Sequence, residues 1–264
     1  RVSEYAEWRR RPEGSCPDLS GTDVDAARML VETVLAEQPA GTALDPATAA
    51  DLLRLYGVAV IPTVHAGSAD DAVAAAGEVG YPVVLKAGGP SFEHRSDEGG
   101  VRLGLQGDDE VRKAFEDMAA RLPSMGGAVV QPLCETGVET VIAVTPDPSF
   151  GPLIEFGIGG IAIDLLGDKA RRILPLTDLD AAELVRDVRS SPLLFGYRGT
   201  VPANVAALEE LLLRVSALIE EVPEVSCLEL DPVIVSSTAA VVVDAKVRVE
   251  PWEPRPELAI RRLR

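Results

Sequence analysis

The chain has 264 residues, a net charge of −17 and 47% hydrophobic residues, which suffices for one large core or two lobes. No apolar run reaches the ~20 residues that a membrane-spanning helix needs. The acidic excess disfavours a general nucleic-acid or anionic-membrane surface. The chain begins at Arg1 rather than Met, which predicts that it is a piece of a longer polypeptide.

The three cysteines give no pattern of a disulfide frame or a zinc site. Cys16, Cys134 and Cys227 are far apart, and none belongs to a CxxC pair. This usage is typical of proteins in a reducing compartment. We therefore expect a cytoplasmic protein.

The first half of the chain mixes helices and strands behind a charged, Pro- and Gly-broken segment over residues 1–25, predicted as a linker. Asp45 followed by Pro46 is typical of a helix start, Ser68 of another, and Gly80 of a helix end. The predicted elements are helices over 25–37, 45–57, 69–79 and 108–122, and strands over 58–61, 82–86, 100–105 and 128–133.

Strands dominate the second half. The pattern predicts strands over 140–144, 152–156, 172–176, 225–235 and 240–249, helices over 179–189 and 204–221, and a tail over 251–264. Helices and strands do not alternate strictly, and the hairpins imply antiparallel pairing. This is an α+β chain with two lobes joined near residues 131–138.

The last two strands place two aspartates against each other. If residues 236–239 close a symmetric antiparallel hairpin, Asp231 lies opposite Asp244 and Glu229 opposite Lys246, all on one face. Facing like charges destabilise a sheet, and a divalent cation between the carboxylates would relieve the repulsion. The register thus suggests a metal site, although a one-residue slip would turn these side chains to the other face.

Other candidate residues have an ordinary structural interpretation as well. Lys86 ends an apolar strand and would suit a phosphate, or would simply reach solvent. His94 lies in a glycine-bounded loop, as a nucleophile or as a surface histidine. The run 157–160 would approach phosphate with backbone N–H groups, or form a turn. Glu139 starts an apolar strand and means little alone.

Common catalytic motifs are absent from the sequence. The glycine run lacks the GKS/T ending of a P-loop, and neither GxSxG nor HExxH occurs. These absences disfavour the commonest hydrolase and zinc-enzyme classes.

Several segments occur together in an order that resembles a known family. They are residues 82–86 (PVVLK), 94–101 (HRSDEGGV), 137–139 (GVE), 150–152 (FGP), 156–161 (FGIGGI), 192–199 (PLLFGYRG), 229–232 (ELDP) and 243–246 (VDAK). Over residues 42–249 the chain resembles the ATP-grasp region of the NDP-forming acyl-CoA synthetases, which include ADP-forming acetyl-CoA synthetases.

This resemblance implies an ATP-grasp fold with MgADP or MgATP between an N-terminal lobe, 26–135, and a C-terminal lobe, 136–250. It also implies roles for individual residues. Asp231 and Asp244 would bind Mg²⁺, Glu229 would face the transferring phosphoryl group, and His94 matches the family's second phosphohistidine. The implied nucleotide contacts are Lys86 on the phosphates, the backbone of Gln131 to Leu133 on adenine, Glu139, and the loop of Gly159 and Gly160.

The implied activity is acyl-CoA + ADP + phosphate ⇌ acid + CoA + ATP, an acid–thiol ligase reaction by way of phosphohistidine. The chain would hold only the ATP-grasp portion and need CoA-binding and ligase domains from the same polypeptide or a partner, so we expect it to be inactive alone. The alternative is an inactive nucleotide- or ligand-sensing domain within a multidomain GNAT-type protein acetyltransferase.

Overall fold

The computed structural model describes Pro12 and residues 14–89, 99–160 and 167–252. Its helices are α1 (Val24–Glu37), α2 (Pro46–Leu55), α3 (Ala69–Val79), α4 (Asp108–Arg121), α5 (Asp178–Asp187) and α6 (Val205–Glu221), with short 3₁₀ helices at Ser191–Phe195 and Tyr197–Gly199. Its strands are β1 (Thr42–Ala43), β2 (Val64–Ala66), β3 (Val83–Ala87), β4 (Val101–Leu105), β5 (Ala128–Pro132), β6 (Val138–Asp147), β7 (Gly151–Ile158), β8 (Lys169–Ile173), β9 (Val225–Val235), β10 (Ala240–Val242) and β11 (Ala245–Val249).

The chain divides into two compact units, each with its own sheet and core. The smaller unit, Ile61–Thr136, contains an antiparallel sheet in the order β2-β5-β3-β4. Helices α3 and α4 contact this sheet, and Leu85 and Met118 are fully buried in its core. The apolar residues of strand β3 are buried because they form the centre of this core.

The larger unit is built on a seven-stranded antiparallel sheet. The order is β1-β11-β9-β6-β7-β8, with β10 paired to β9. The core includes α1, α2, α5 and α6 together with inward-facing residues of the central strands, such as Ile142, Phe156 and Leu230. The mixture of helices and antiparallel strands confirms the α+β class.

Helices α1 and α2 belong to the larger unit, which differs from the expected lobe over 26–135. Residues up to Val60 form one unit with the chain from Gly137. Strand β1 pairs with β11 through Thr42 and Val249, and Leu52 of α2 is fully buried in the larger core. The segment that joins the two helices therefore holds them on the sheet formed by the end of the chain.

The helix ends follow the capping residues of the sequence. Asp45 accepts hydrogen bonds from the N–H groups of Ala47 and Thr48, and Ser68 accepts one from Asp71. Gly80 ends α3 with a φ of 88°, a conformation that glycine adopts without strain. Among the described residues, no helix combines the length and apolar character needed to cross a bilayer.

Two predicted strands are misplaced. No strand forms over 58–61, where Val60 makes only an isolated bridge with Val242, and β2 lies further on at Val64–Ala66. The apolar pattern of Val58 and Ile61 reflects burial of their side chains and not pairing in a sheet. The strand predicted over 172–176 forms instead at Lys169–Ile173, where it is a charged edge strand. Leu176 is apolar because it is a core residue beyond the end of this strand.

Candidate active site

The hairpin that ends the larger sheet has the predicted register. Ala240 pairs with Val235, and Lys246 pairs with Glu229, so the position sums stay constant along both strands. The N–H of Asp231 donates to the carbonyl of Asp244 at 3.1 Å, and the N–H of Ser236 to that of Ala239 at 2.9 Å. Asp231 and Asp244 are therefore directly opposite each other.

The hairpin is irregular at these two aspartates. The predicted strand 240–249 is interrupted at residues 243–244, and the β6–β9 register shifts between Thr140 and Ile142, opposite Asp231. Pro232 lacks an N–H, so a regular ladder cannot continue through it. Irregularities of this kind redirect side chains and recur beside active sites.

The burial pattern changes phase at the same place. Leu228 and Leu230 are buried before the irregularity, and Val233 and Val235 after it, while Asp231 is exposed. Asp244 and Lys246 are exposed as well, and Glu229 is half-buried. We call the face of the larger sheet that carries Glu229 and Lys246 the site face.

The donors at this position suit a magnesium ion that is also bound by phosphate. Across residues 14–89, 99–160 and 167–252, no three His, Cys, Asp or Glu side chains form a group that could hold a metal ion. Mg²⁺ is commonly held by one or two carboxylates together with substrate phosphates and water. Asp231 and Asp244 fit that requirement and would not make a complete protein cage.

Glu139 lies against the glycine turn that follows β7. The N–H of Gly159 donates to the carbonyl of Glu139 at 2.7 Å, and a Cβ at Gly159 would stand 3.2 Å from the Cβ of Glu139. Gly160 has a φ of +97°, which favours glycine, and a Cβ there would be 3.8 Å from Glu139 Oε2. The structure thus brings together three residues that the family resemblance implies at the nucleotide.

The remaining predicted nucleotide contacts belong to the smaller unit. Lys86 is half-buried near the end of β3, directly after the buried Leu85, and β3 pairs with β5, which carries Gln131. Burial raises the pKa of the Cys134 thiol, and the charge of Lys86 opposes this shift, so Lys86 lies near the segment after β5.

Two observations limit how the segment from Gln131 to Leu133, at the end of β5, can recognise a base. Gln131 is 4% exposed, and its side-chain amide donates to Thr63 Oγ1 at 2.9 Å. The N–H of Leu133 donates to the carbonyl of Pro82 at 2.8 Å. The N–H of Leu133 is therefore engaged within the protein, and a base contact by this residue would use its carbonyl.

The predicted phosphohistidine, His94, lies outside the described residues, as does the run 161–166 after the glycine turn. The roles predicted for His94 and for the other site residues stay predictions.

The sequence did not indicate a charged cluster on the site face. Glu155 of β7 is 16% exposed and holds Lys169 at 2.8 Å and Arg171 at 2.5 Å, both from β8. Burial by itself raises the pKa of Glu155, but hydrogen bonds and charges from the two cations outweigh it and hold the pKa below its ordinary value. Lys169 and Arg171 occupy alternate positions of the sequence KARRI, which is a signal of a charged strand face. The strand was predicted over 172–176, however, so both residues fell outside it and their pairing with Glu155 was missed.

Comparison with known proteins identifies the class. The family model of the ATP-grasp domain matches residues 34–249, most of the chain. The chain therefore belongs to the ATP-grasp domain family. This confirms the predicted fold class.

Within that class, the chain is homologous to subunits of ADP-forming acetyl-CoA synthetases. It is 34% identical over 230 residues to the β subunit of acetate–CoA ligase [ADP-forming] I of Pyrococcus furiosus, covering 85% of this chain and 98% of that protein. It is 40% identical over 202 residues to acetate–CoA ligase [ADP-forming] I of Archaeoglobus fulgidus, covering 74% of this chain but only 29% of that protein.

A solved structure shows the same relationship. Acetyl-coenzyme A synthetase 1 of Ca. Korarchaeum cryptofilum matches with a TM-score of 0.70 and 32% identity, over 85% of this chain and 100% of that chain. That structure is a complex with coenzyme A and Mg-AMPPCP, in which a phosphohistidine segment points towards the nucleotide binding site. The predicted family is confirmed, and these comparisons lend no support to the sensor alternative.

Proposed function

We propose that this chain is the nucleotide-binding, phosphoryl-transfer portion of an ADP-forming acyl-CoA ligase. The reaction would be acyl-CoA + ADP + phosphate ⇌ acid + CoA + ATP, with phosphohistidine as the intermediate carrier. The observation that carries the proposal is the pairing of Asp231 with Asp244, beside the pairing of Glu229 with Lys246. The homology to ligases of this name supports it.

The chain's own residues would contribute mainly charge and position. Asp231 and Asp244 would hold Mg²⁺, which when bound neutralises phosphate charge during transfer. Lys86 would contact the nucleotide phosphates as a fixed cation. Glu229 would orient the group that receives or delivers the phosphoryl, and His94 would carry it.

The nucleotide's other contacts would come from two places in the chain. Glu139, with the turn of Gly159 and Gly160, would contact the nucleotide beside the phosphates, where glycines permit close approach. The segment from Gln131 to Leu133 would contact the adenine.

The complete reaction would need domains beyond this chain. Because the chain spans 29% of the Archaeoglobus ligase, we propose that CoA-binding and ligase domains complete the reaction and that this chain alone does not turn over. We also propose a cytoplasmic location. Cys16, Cys134 and Cys227 are free thiols, which is the usual state of cysteine in a reducing compartment.

Calorimetry with MgADP and MgATP tests nucleotide binding by the 264-residue chain. We expect saturable binding of both, with one nucleotide per chain. A non-reactive analogue of CoA is the control ligand, because its main contacts would lie in domains outside this chain. If neither nucleotide gave a heat of binding and the two did not compete for one site, the proposed function would be contradicted.

Phosphorylation of His94 is tested separately in a preparation that contains the completing domains. We expect acid-labile phosphate from labelled ATP to decrease in the His94→Ala variant, because one of two carriers is lost. His65→Ala is the matched control, since it removes the other histidine of the chain. Equal labelling of wild type and His94→Ala would exclude the relay role.

A further inference from the structure

A row of paired residues crosses the site face from β11 to β8. Lys246 pairs with Glu229, Glu229 with Ala143, Ala143 with Glu155, and Glu155 with Arg171. Directly paired residues of an antiparallel sheet project on the same side. Glu155 and Arg171 therefore share the face of Glu229, with Glu155 two strands away, or about 10 Å.

Each oxygen of Glu155 has its own cation. Oε1 receives Lys169 Nζ at 2.8 Å, and Oε2 receives Arg171 Nε at 2.6 Å and Nη2 at 2.5 Å. These ion pairs hold both long side chains in place, and the side chains would otherwise sample many rotamers. Two cations face one carboxylate, so the cluster keeps a net positive charge in a chain of net charge −17.

Small residues of the site face leave room around this cluster. A Cβ at Gly157 would lie 3.2 Å from Lys169 Cγ, so the absence of a side chain lets the stem of Lys169 cross β7. Ala143, half-buried, is the only side chain between Glu155 and Glu229 in the row. A lysine ammonium has three donors and a guanidinium five, and Glu155 uses only some of them.

We propose that Lys169 and Arg171, oriented by Glu155, form an anion-binding pair that holds a terminal phosphate group on the site face. This inference rests on the proposed function, since phosphoryl transfer would bring phosphates to the face that carries Glu229. The recognised chemistry is a phosphate with exposed oxygens, which an oriented lysine and arginine match well. The source is inorganic or carrier-bound phosphate, or the last phosphate of ATP.

Single substitutions test the pair, because each of them leaves one cation beside Glu155. Lys169→Gln retains Arg171, and Arg171→Gln retains Lys169. Calorimetry first measures the binding of inorganic phosphate to the 264-residue chain saturated with MgADP. It then measures the binding of MgATP and of MgADP to the chain in separate titrations. We expect each variant to weaken phosphate or MgATP binding about tenfold, with MgADP unchanged, because one charge-assisted contact is lost.

The two sources of phosphate give different results. Weaker inorganic phosphate binding identifies a separate phosphate, whereas a loss confined to MgATP identifies the nucleotide's own terminal group. Arg248→Gln is the control, because Arg248 is also an exposed strand arginine paired with a carboxylate, Glu250. We expect no change in binding for this variant.

A purely structural ion cluster predicts a different pattern. Both variants would then lower the melting temperature and leave phosphate and MgATP binding unchanged, which would overturn the inference. Inorganic phosphate is also titrated into the chain without nucleotide. If the wild type binds phosphate through these residues but binds neither nucleotide, the proposed function fails and the phosphate pair stands. Thermal melts of all variants are therefore recorded beside the titrations.

Discussion

Glu155 and the aspartate pair balance negative charge in different ways on the same sheet. Glu155 is largely buried and has its compensating cations on the neighbouring strand, Lys169 and Arg171. Asp231 and Asp244 are exposed and face each other across the hairpin. The first arrangement brings its cations from the chain itself. The second offers two exposed carboxylates, which suit a cation that comes with a ligand.

The ion cluster around Glu155 makes stability depend on acid pH. The ordinary pKa of Glu155 is 4.5 and is lowered in the folded chain, so its contribution is complete above that value and is lost as pH falls through the lower, folded value. We expect Glu155→Gln to cost about 1–2 kcal/mol near neutral pH. Its loss of stability on acidification should be shallower than that of the wild type.

Thermal melts from about pH 7 to about pH 3 measure this effect. Glu116→Gln, at an exposed position of α4, is the control and should follow the wild-type curve. Parallel curves for Glu155→Gln and the wild type would show that the cluster does not contribute to acid sensitivity.

At the scale of elements, helix α6 is joined to the turn of the aspartate hairpin. Asn204 caps α6 by accepting from Ala207 N–H at 3.1 Å, and its side-chain amide donates to the carbonyl of Thr238 at 2.8 Å. Its own N–H donates to the carbonyl of Ser236 at 2.7 Å. One residue therefore orders both a helix start and the turn that sets the Asp231–Asp244 register.

Substitution of Asn204 separates these contributions. Asn204→Ala removes the cap and the link to Thr238, and we expect a loss of about 1–2 kcal/mol in unfolding free energy. Asn204→Asp keeps a capping oxygen but loses the amide donor, so we expect an intermediate loss. Urea denaturation measures both. Equal stability of all three proteins would contradict the link.

The parts predicted correctly from sequence depend on local rules. The hairpin register follows from a four-residue turn, and helix starts follow from Asp45 and Ser68. The pairing of Glu155 with Arg171 could not be derived, because the connection from Ile158 to Lys169 is too long for a turn to set a register. The pairing of Thr42 with Val249 joins distant parts of the chain, and no local pattern reports it.

At the scale of the whole molecule, each unit has its own core, and the chain enters and leaves the smaller unit once. Leu52 of α2 is fully buried in the larger core, and Met118 of α4 in the smaller one. Because the N-terminal helices share the core of β9 and β11, their integrity should govern the hairpin that carries the aspartates.

Matched cavity variants test this assignment. We expect Leu52→Ala and Met118→Ala each to cost about 2–5 kcal/mol. In hydrogen exchange, Leu52→Ala should increase exchange in β9 and β11, and Met118→Ala in β3 and β5. If Leu52→Ala affected β3 and β5 instead, α2 would belong to the smaller unit.

The most direct test of the central claim is the magnesium dependence of ADP affinity. Calorimetry with and without Mg²⁺ compares the wild type with Asp244→Ala, and with Asp117→Ala as an exposed aspartate control on α4. We predict that Mg²⁺ tightens ADP binding by about tenfold or more in the wild type and the control, and hardly at all in Asp244→Ala. An equal magnesium effect in all three proteins would contradict a metal site at the opposed aspartates.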